Sequence, residues 1–184
     1  MRGAPAIALL ALTLGAREAW AEVPTGVDVD LGVTLPLEGW RETTGLGLGG
    51  GLRARVPVGG ELEATARLGA TGHFATTFTR VGVPATRRLL QLPLTFGVRY
   101  PINAPARLRV VLGAELGLAW NRQWVAAAGA REVDAELVAV GALAVGVVVG
   151  RLTVQASLWF ADLAARDEHL GVVLGLAGTL RRPR

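Results

Sequence analysis

From Val27 to Leu180, apolar residues or glycine recur at every second position, block after strand-length block, and no charge falls among them. The blocks are Val27 to Leu37, Leu46 to Val56, Leu62 to Phe74, Leu90 to Tyr100, Leu108 to Trp120, Leu137 to Val149, Leu152 to Phe160 and Leu170 to Leu180. Their shared register holds 50 positions, of which Tyr100 alone carries a hydroxyl. The opposite register, within the blocks or at their ends, holds Asp28, Asp30, Arg53, Arg55, Glu61, Glu63, Arg67, Arg99, Arg107, Arg109, Glu115, Glu136 and Arg181. A period of two sends successive side chains to opposite faces of a strand. Charges on one face and none on the other mean that the uncharged face meets a medium without water. The fold class that follows is all-β: an eight-stranded antiparallel up-and-down transmembrane β-barrel, apolar outside and charged within.

The bulk numbers agree. A chain of 184 residues is enough for one domain. Its mean hydropathy of +0.41 is high for a soluble protein, yet no stretch supplies the roughly 20 apolar residues of a spanning helix. The most apolar internal run, Leu137 to Val149, is interrupted by Gly141 and Gly146. Open strands cannot lie in hydrocarbon, because their edge amides would go unpaired, so a closed barrel is the remaining solution. A soluble sandwich or lipocalin-like barrel would have to bury the whole uncharged register as core, too much for a chain of this size.

Residues 1–21 have the form of a signal peptide: Arg2, an apolar run from Ala6 to Leu14 broken only by Thr13, then Ala19-Trp20-Ala21 as a small-x-small cleavage site. Residues 22–184 form the barrel domain. The absence of cysteine excludes a disulfide framework, a thiol nucleophile and a lipid-modified N-terminal cysteine. A pI near 11.1 would suit nucleic acid, but the net charge is only +4 and seven of the arginines belong to the strand alternation. Nucleic acid is not an expected partner.

Short and long connections alternate. Pro57 to Gly60, Pro101 to Ala106 and Gly150-Arg151 are short; Glu38 to Gly45, Ala75 to Leu89, Asn121 to Glu136 and Ala161 to His169 are longer. That is the rhythm of outer-membrane barrels, with short periplasmic turns, long external loops and both termini in the periplasm. Gly150-Arg151 fits a two-residue hairpin turn and Val58-Gly59-Gly60 a three-residue one. Pro93, inside the fourth strand, removes a ladder bond and predicts a bulge or local fault. Leu108 to Trp120 extends about 43 Å at about 3.3 Å per residue, which a tilt of about 45° reduces to the height of a hydrocarbon layer. Phe74, Trp120 and Phe160 mark the external interface, with Trp40 nearby, and Tyr100 marks the inner one.

On these residues the chain resembles the small eight-stranded outer-membrane barrels of the OmpA/OmpX type, over Val27 to Leu180. The segment Leu90-Gln91-Leu92-Pro93-Leu94-Thr95-Phe96-Gly97-Val98-Arg99-Tyr100 is similar to a strand common in bacterial barrel domains. His169, Gly171, Leu174 and Leu176 match the spacing of the family's C-terminal assembly signal, although the chain continues to Arg184 where the family usually ends at an aromatic. The resemblance implies a monomer in the outer membrane, surrounded by its lipid and lipopolysaccharide and inserted by the barrel-assembly machinery.

Any chemistry lies in the lumen or the loops. An eight-stranded barrel is just filled by side chains. The inward charges cluster toward the periplasmic end, where the turn would set Arg55 opposite Glu63. They predict a plug of ion pairs built from Asp28, Asp30, Arg53, Arg55, Glu61, Glu63, Arg67, Arg99, Arg107, Arg109 and Glu115; a charged gate that conducts ions is the alternative. The external half is lined by small residues such as Thr34, Gly47, Gly49, Gly117 and Ala142. It is either filled by loop aromatics (Trp40, Phe78 or Trp124) or left as a cup for a small ligand, with Ser157, Trp159, His169 and His73 around it.

Ser157, the chain's one serine, shares the inward face with His169. A turn at Asp162-Leu163-Ala164 would set them opposite, the start of a lipid hydrolase but with no well-placed third member. A hydrogen-bonded polar pair is the simpler reading, and the chain reads as non-enzymatic. No metal-ligand cluster surrounds either histidine, the glycines at 45, 47 and 49 lack the lysine and helix of a phosphate loop, and no cofactor is expected. In the loops, Arg80, Arg87 and Arg88 form a basic cluster suited to lipopolysaccharide phosphates. The expected function is structural or surface-interacting, with a small-molecule binder or narrow transporter as the alternative.

Overall fold

The computed structural model describes residues 26–80, 82–103, 109–164 and 169–180. The signal segment and Arg107 lie outside them, as does Arg181. The described chain is an antiparallel barrel of eight strands closed by the pairing of the first with the last. In order these are β1 (Gly26–Pro36), a short helix α1 (Glu38–Thr43), β2 (Gly47–Gly59), β3 (Leu62–Arg80), β4 (Val83–Asn103), β5 (Arg109–Ala127), β6 (Ala130–Val149), β7 (Leu152–Phe160) and β8 (Leu170–Thr179). No helix among the described residues is long and apolar enough to cross a membrane.

The alternation sorts as the two media require. Leu31, Leu52, Leu68, Phe96, Leu116, Leu143 and Leu176 stand exposed on the outer surface, while Asp28, Asp30 and Arg53 are buried in the lumen. Phe74, Trp120 and Tyr100 are exposed at the ends of outward registers. The Gly150-Arg151 turn forms as the sequence suggests, with Val149 paired to Leu152 and Gly150 in the left-handed region at φ 63°.

Three local expectations are corrected. The connections Ala75 to Leu89 and Asn121 to Glu136 are taken up by strand through Arg80, from Val83, through Ala127 and from Ala130: β3 to β6 run 19, 21, 19 and 20 residues, against 11, 13, 9 and 10 for β1, β2, β7 and β8. The two hairpins therefore rise above the rest of the barrel as one four-stranded sheet. The β5–β6 hairpin closes at Ala128-Gly129, both left-handed (φ 48° and 81°), the twist that a two-residue turn needs.

The β2–β3 turn lies at Gly60-Glu61, with a register irregularity between Pro57 and Gly59. As a result Arg55 faces Thr65, and Glu63 faces Pro57. At Pro93 the β3–β4 ladder lapses, as a missing N–H requires, but the register is the same before and after, at Leu68↔Leu94 and Thr71↔Gln91. The register shift falls higher, between His73 and Thr76. Beyond it the facing parity of β3 reverses, and Thr76 shares a face with Arg87.

Candidate functional site: the lumen and its mouth

The lower lumen is a set of hydrogen-bonded ion pairs. Asp28, on the first inward row of β1, takes Arg55 (Nε to Oδ2, 2.8 Å; Nη2 to Oδ1, 3.0 Å), the Thr179 hydroxyl (2.8 Å) and Arg99 (3.5 Å). Glu63 reaches the same two guanidinium groups, at 3.2 Å from Arg55 and 3.9 Å from Arg99. Arg55 meets Glu63 diagonally across the ladder, because long side chains span the offset that the turn introduces. One level up, Arg67 sets both Nε (2.9 Å) and Nη2 (2.6 Å) on Asp30 Oδ2. Arg53 Nη2 lies 2.9 Å from Glu115, whose other oxygen accepts from Thr95 (2.8 Å), and Arg53 Nη1 reaches Gln155.

These pairs join four arginines to four carboxylates. Each charge has left water, so the attraction between partners mainly offsets their desolvation. Of the other charges expected here, Glu61 sits in the β2–β3 turn and Arg109 is exposed at the foot of β5.

Above the ion pairs is a cavity of about 50 Å³, bounded by Asp30, Arg53, Arg67, Gln91, Glu115, Gln155 and Ser157 below and around, and by Trp159 above. Leu31, Pro93, Ala142 and Val173 complete its lining, and the polar groups among these walls give a few ordered waters their partners. Asp30 Oδ1 is buried there without a hydrogen-bond partner. Gln91 and Asn121 bridge β4 and β5 at its upper edge, 3.1 Å apart.

The upper lumen holds the apolar core, with polar side chains around its rim. Trp40, Leu89, Ala119, Val140, Ala142, Trp159 and Ala161 form the buried cluster of the described chain. Trp40 comes from α1 in the first connection and fills the mouth, so the lumen is filled from a loop. Trp124 stays on the wall, under the Arg122 guanidinium at 5.2 Å. Trp40 packs against His73 (ring centroids 5.2 Å apart) and His169 (6.4 Å). The His73 Nδ1–H donates to the Gly45 carbonyl at 2.9 Å. No group of three or more metal-ligating side chains occurs among the described residues.

The expected Ser157–His169 pairing does not form. Ser157 lies opposite Val173 and lines the cavity below Trp159. His169 is four residues higher on the chain leading into β8, about 13 Å along a strand. There it sits beside Trp40, 3.9 Å from Asp162. The β7–β8 connection begins beyond Phe160↔Leu170, so its closure lies higher than a three-residue turn allows.

The basic loop cluster also divides. Arg87 turns toward the mouth and donates to Thr43 of α1 at 3.1 Å. Burial lowers its pKa from the usual guanidinium value, while Glu136 acts in the opposite sense. Arg80 ends β3 opposite Val83. Arg88 is exposed on the outward face, opposite Trp124, and Arg122 and Arg131 are exposed on that same face. Spacing along the chain groups Arg87 with Arg88. The sheet separates them and brings in Arg122 and Arg131, which only knowledge that Asn121 to Glu136 is strand would reveal.

No family model matches this sequence, and no curated protein does. Solved structures do match. The attachment invasion locus protein Ail of Yersinia pestis superposes with a TM-score of 0.57 at 14% identity, covering 84% of this chain and 96% of Ail. Ail in complex with the heparin analogue sucrose octasulfate gives 0.59 at 14% identity, covering 86% and 98%. Neisserial surface protein A gives 0.55 at 13% identity, covering 85% and 97%. The fold is that of the small eight-stranded outer-membrane barrels.

Proposed function

We propose that this protein is a non-enzymatic surface-interaction barrel of the outer membrane, anchored by its ion-paired lower half and working through the raised β3–β6 sheet. The outward face of that sheet is the contact for lipopolysaccharide phosphates. The observation that carries this is the grouping of Arg88, Arg122 and Arg131 with Trp124 on one outward face, one to three rows above outward Trp120. An aromatic at that height marks the headgroup level. Guanidinium groups just above it meet phosphate with the planar, multiply donating geometry that such groups bind best.

Two further features support the reading. The lower lumen holds its charges in mutual pairs, which suits a plug better than a conduit. Ser157 and His169 lie apart, which removes the one arrangement that suggested hydrolysis. Secretion by a signal peptide over residues 1–21 and insertion by the barrel-assembly machinery belong to the same proposal.

The test is retention of purified lipopolysaccharide by the detergent-solubilised barrel. Arg88→Ala, Arg122→Ala and Arg131→Ala combined should lower retention about ten-fold at low salt, with the gap narrowing as salt screens the charges. Arg87→Ala should leave it unchanged. Equal retention by the triple variant and the native protein would sink the contact.

A further inference from the structure

One side chain closes the upper mouth of the barrel. Trp40, 2% exposed, hangs from the six-residue α1 into the lumen, between His73 and His169 and above Leu89, Val140 and Trp159. The wall is cut to fit it: a Cβ on Gly171 would stand 2.8 Å from Trp40 Cζ3. A ring packed for stability alone leaves its polar neighbours satisfied. Here the neighbours are only partly satisfied. Seven buried side-chain polar atoms among the described residues lack a hydrogen-bond partner. Four of them, Thr44 Oγ1, His73 Nε2, Arg87 Nε and His169 Nδ1, belong to α1's own C-cap and to the side chains around the mouth.

The helix that carries Trp40 is lightly held. Its N-cap, Leu37, makes no side-chain cap. Its ties to the barrel include the Leu37 amide on the Leu170 carbonyl (2.8 Å) and the Arg87–Thr43 bond (3.1 Å).

We propose that α1 is a stopper that lifts, and that the socket beneath Trp40 is a binding site for a small aromatic molecule: one flat ring system of indole size carrying one or two hydrogen-bonding groups. The ring is read from the seat that Trp40 fills, with an apolar floor and a notch at Gly171. The hydrogen-bonding groups are read from the unpaired atoms at the rim. His73 is 5% exposed and gives its Nδ1–H to Gly45; its ring lies near the Gln91 side chain, and its Nε2 is the acceptor that a ligand N–H or O–H can use. In the native chain the ligand has to displace Trp40, so its apparent affinity falls by the fraction of time the mouth is open.

The test uses indole and the full barrel in lipid nanodiscs. The native chain has no cysteine, so Thr44→Cys places a single thiol at a position that is 3% exposed and whose hydroxyl makes no hydrogen bond. Saturating indole should speed maleimide labelling of that thiol by about five-fold, by holding α1 away from the mouth. In calorimetry against protein-free nanodiscs, Trp40→Ala should bind indole about ten-fold more tightly than the native chain, because its socket is already vacant. A labelling rate that indole leaves unchanged overturns the stopper. Indole heats for Trp40→Ala that equal the protein-free blank overturn the socket. If Trp40→Ala does not fold, the labelling experiment decides by itself.

Discussion

Strands β3 to β6 pass through two surroundings, and the same polypeptide behaves differently in each. Below Phe74, Leu90, Trp120 and Leu137 no outward residue is charged, Tyr100 alone carries a hydroxyl, and the charges belong to the inward register. Above those residues the hydrogen-bonded ladder continues to Arg80↔Val83 and Ala127↔Ala130, but both faces carry polar groups: Thr76, Thr77 and Thr79 on β3, Arg131, Glu132 and Asp134 on β6. The backbone pairing is the same in both parts, and only the medium changes. Alternation therefore records where lipid ends; it does not record where a strand ends.

Substitutions at matched positions can break or sharpen this contrast. The largest effect is expected inside the lower lumen. Asp28→Ala leaves Arg55 and Arg99 to share Glu63 alone, and should cost about 3 kcal/mol in urea unfolding from lipid vesicles followed by gel mobility. Asp134, exposed in the upper part, should tolerate alanine with a change of about 0.5 kcal/mol or less. Next comes the outer face. Leu116 and Val133 are similarly exposed, at 64% and 50%, so exposure alone gives them the same tolerance. Leu116→Arg should nonetheless destabilise the barrel by about 2–4 kcal/mol, whereas Val133→Arg should be nearly neutral. Equal losses at the two sites would show that the raised sheet is also in lipid. The smallest effect is at the hairpin tip. Ala128 holds φ at 48°, so Ala128→Gly should stabilise by about 1 kcal/mol, read as a shift in the urea midpoint.

The same contrast explains what could be read from the sequence. Eight spans, their facing and closure by strand pairing follow from one register, because Leu68, Leu94, Leu116 and their equivalents all answer to one medium. Strand extension past Phe74 leaves no such mark, since Thr77 and Thr79 are acceptable on a wet strand or in a loop. The bulge between His73 and Thr76 is equally silent: it adds a residue without any glycine or proline to announce it.

Ion-pair partners were legible as a set and less so as contacts. Arg55 and Glu63 do meet, but across a diagonal, because the turn at Gly60-Glu61 and the irregularity between Pro57 and Gly59 move the partner of Arg55 by two residues, to Thr65. The Ser157–His169 alignment failed on the same sensitivity to turn length. Trp40 could be named as a candidate to enter the lumen, yet nothing in the chain distinguished it from Phe78 or Trp124. That choice depends on the notch at Gly171 and on the short reach from Pro36, both properties of the folded wall.

Seven of the eight strand pairings join neighbours in sequence; the eighth, β1 with β8, runs for nine rungs between opposite ends of the domain. The Thr179 hydroxyl on Asp28 and the Leu180 amide on the Val27 carbonyl (2.9 Å) fasten its lower end. Hairpins can form as the chain emerges, but this seam must wait for the last ten-residue strand. A polypeptide that stops short of Leu170 is therefore not a smaller barrel. It is a curved sheet with two raw borders, β1 and β7, whose amides have no partner in hydrocarbon. For this architecture completion is all or nothing, and the final strand to be synthesised decides whether the preceding seven have a place in the membrane.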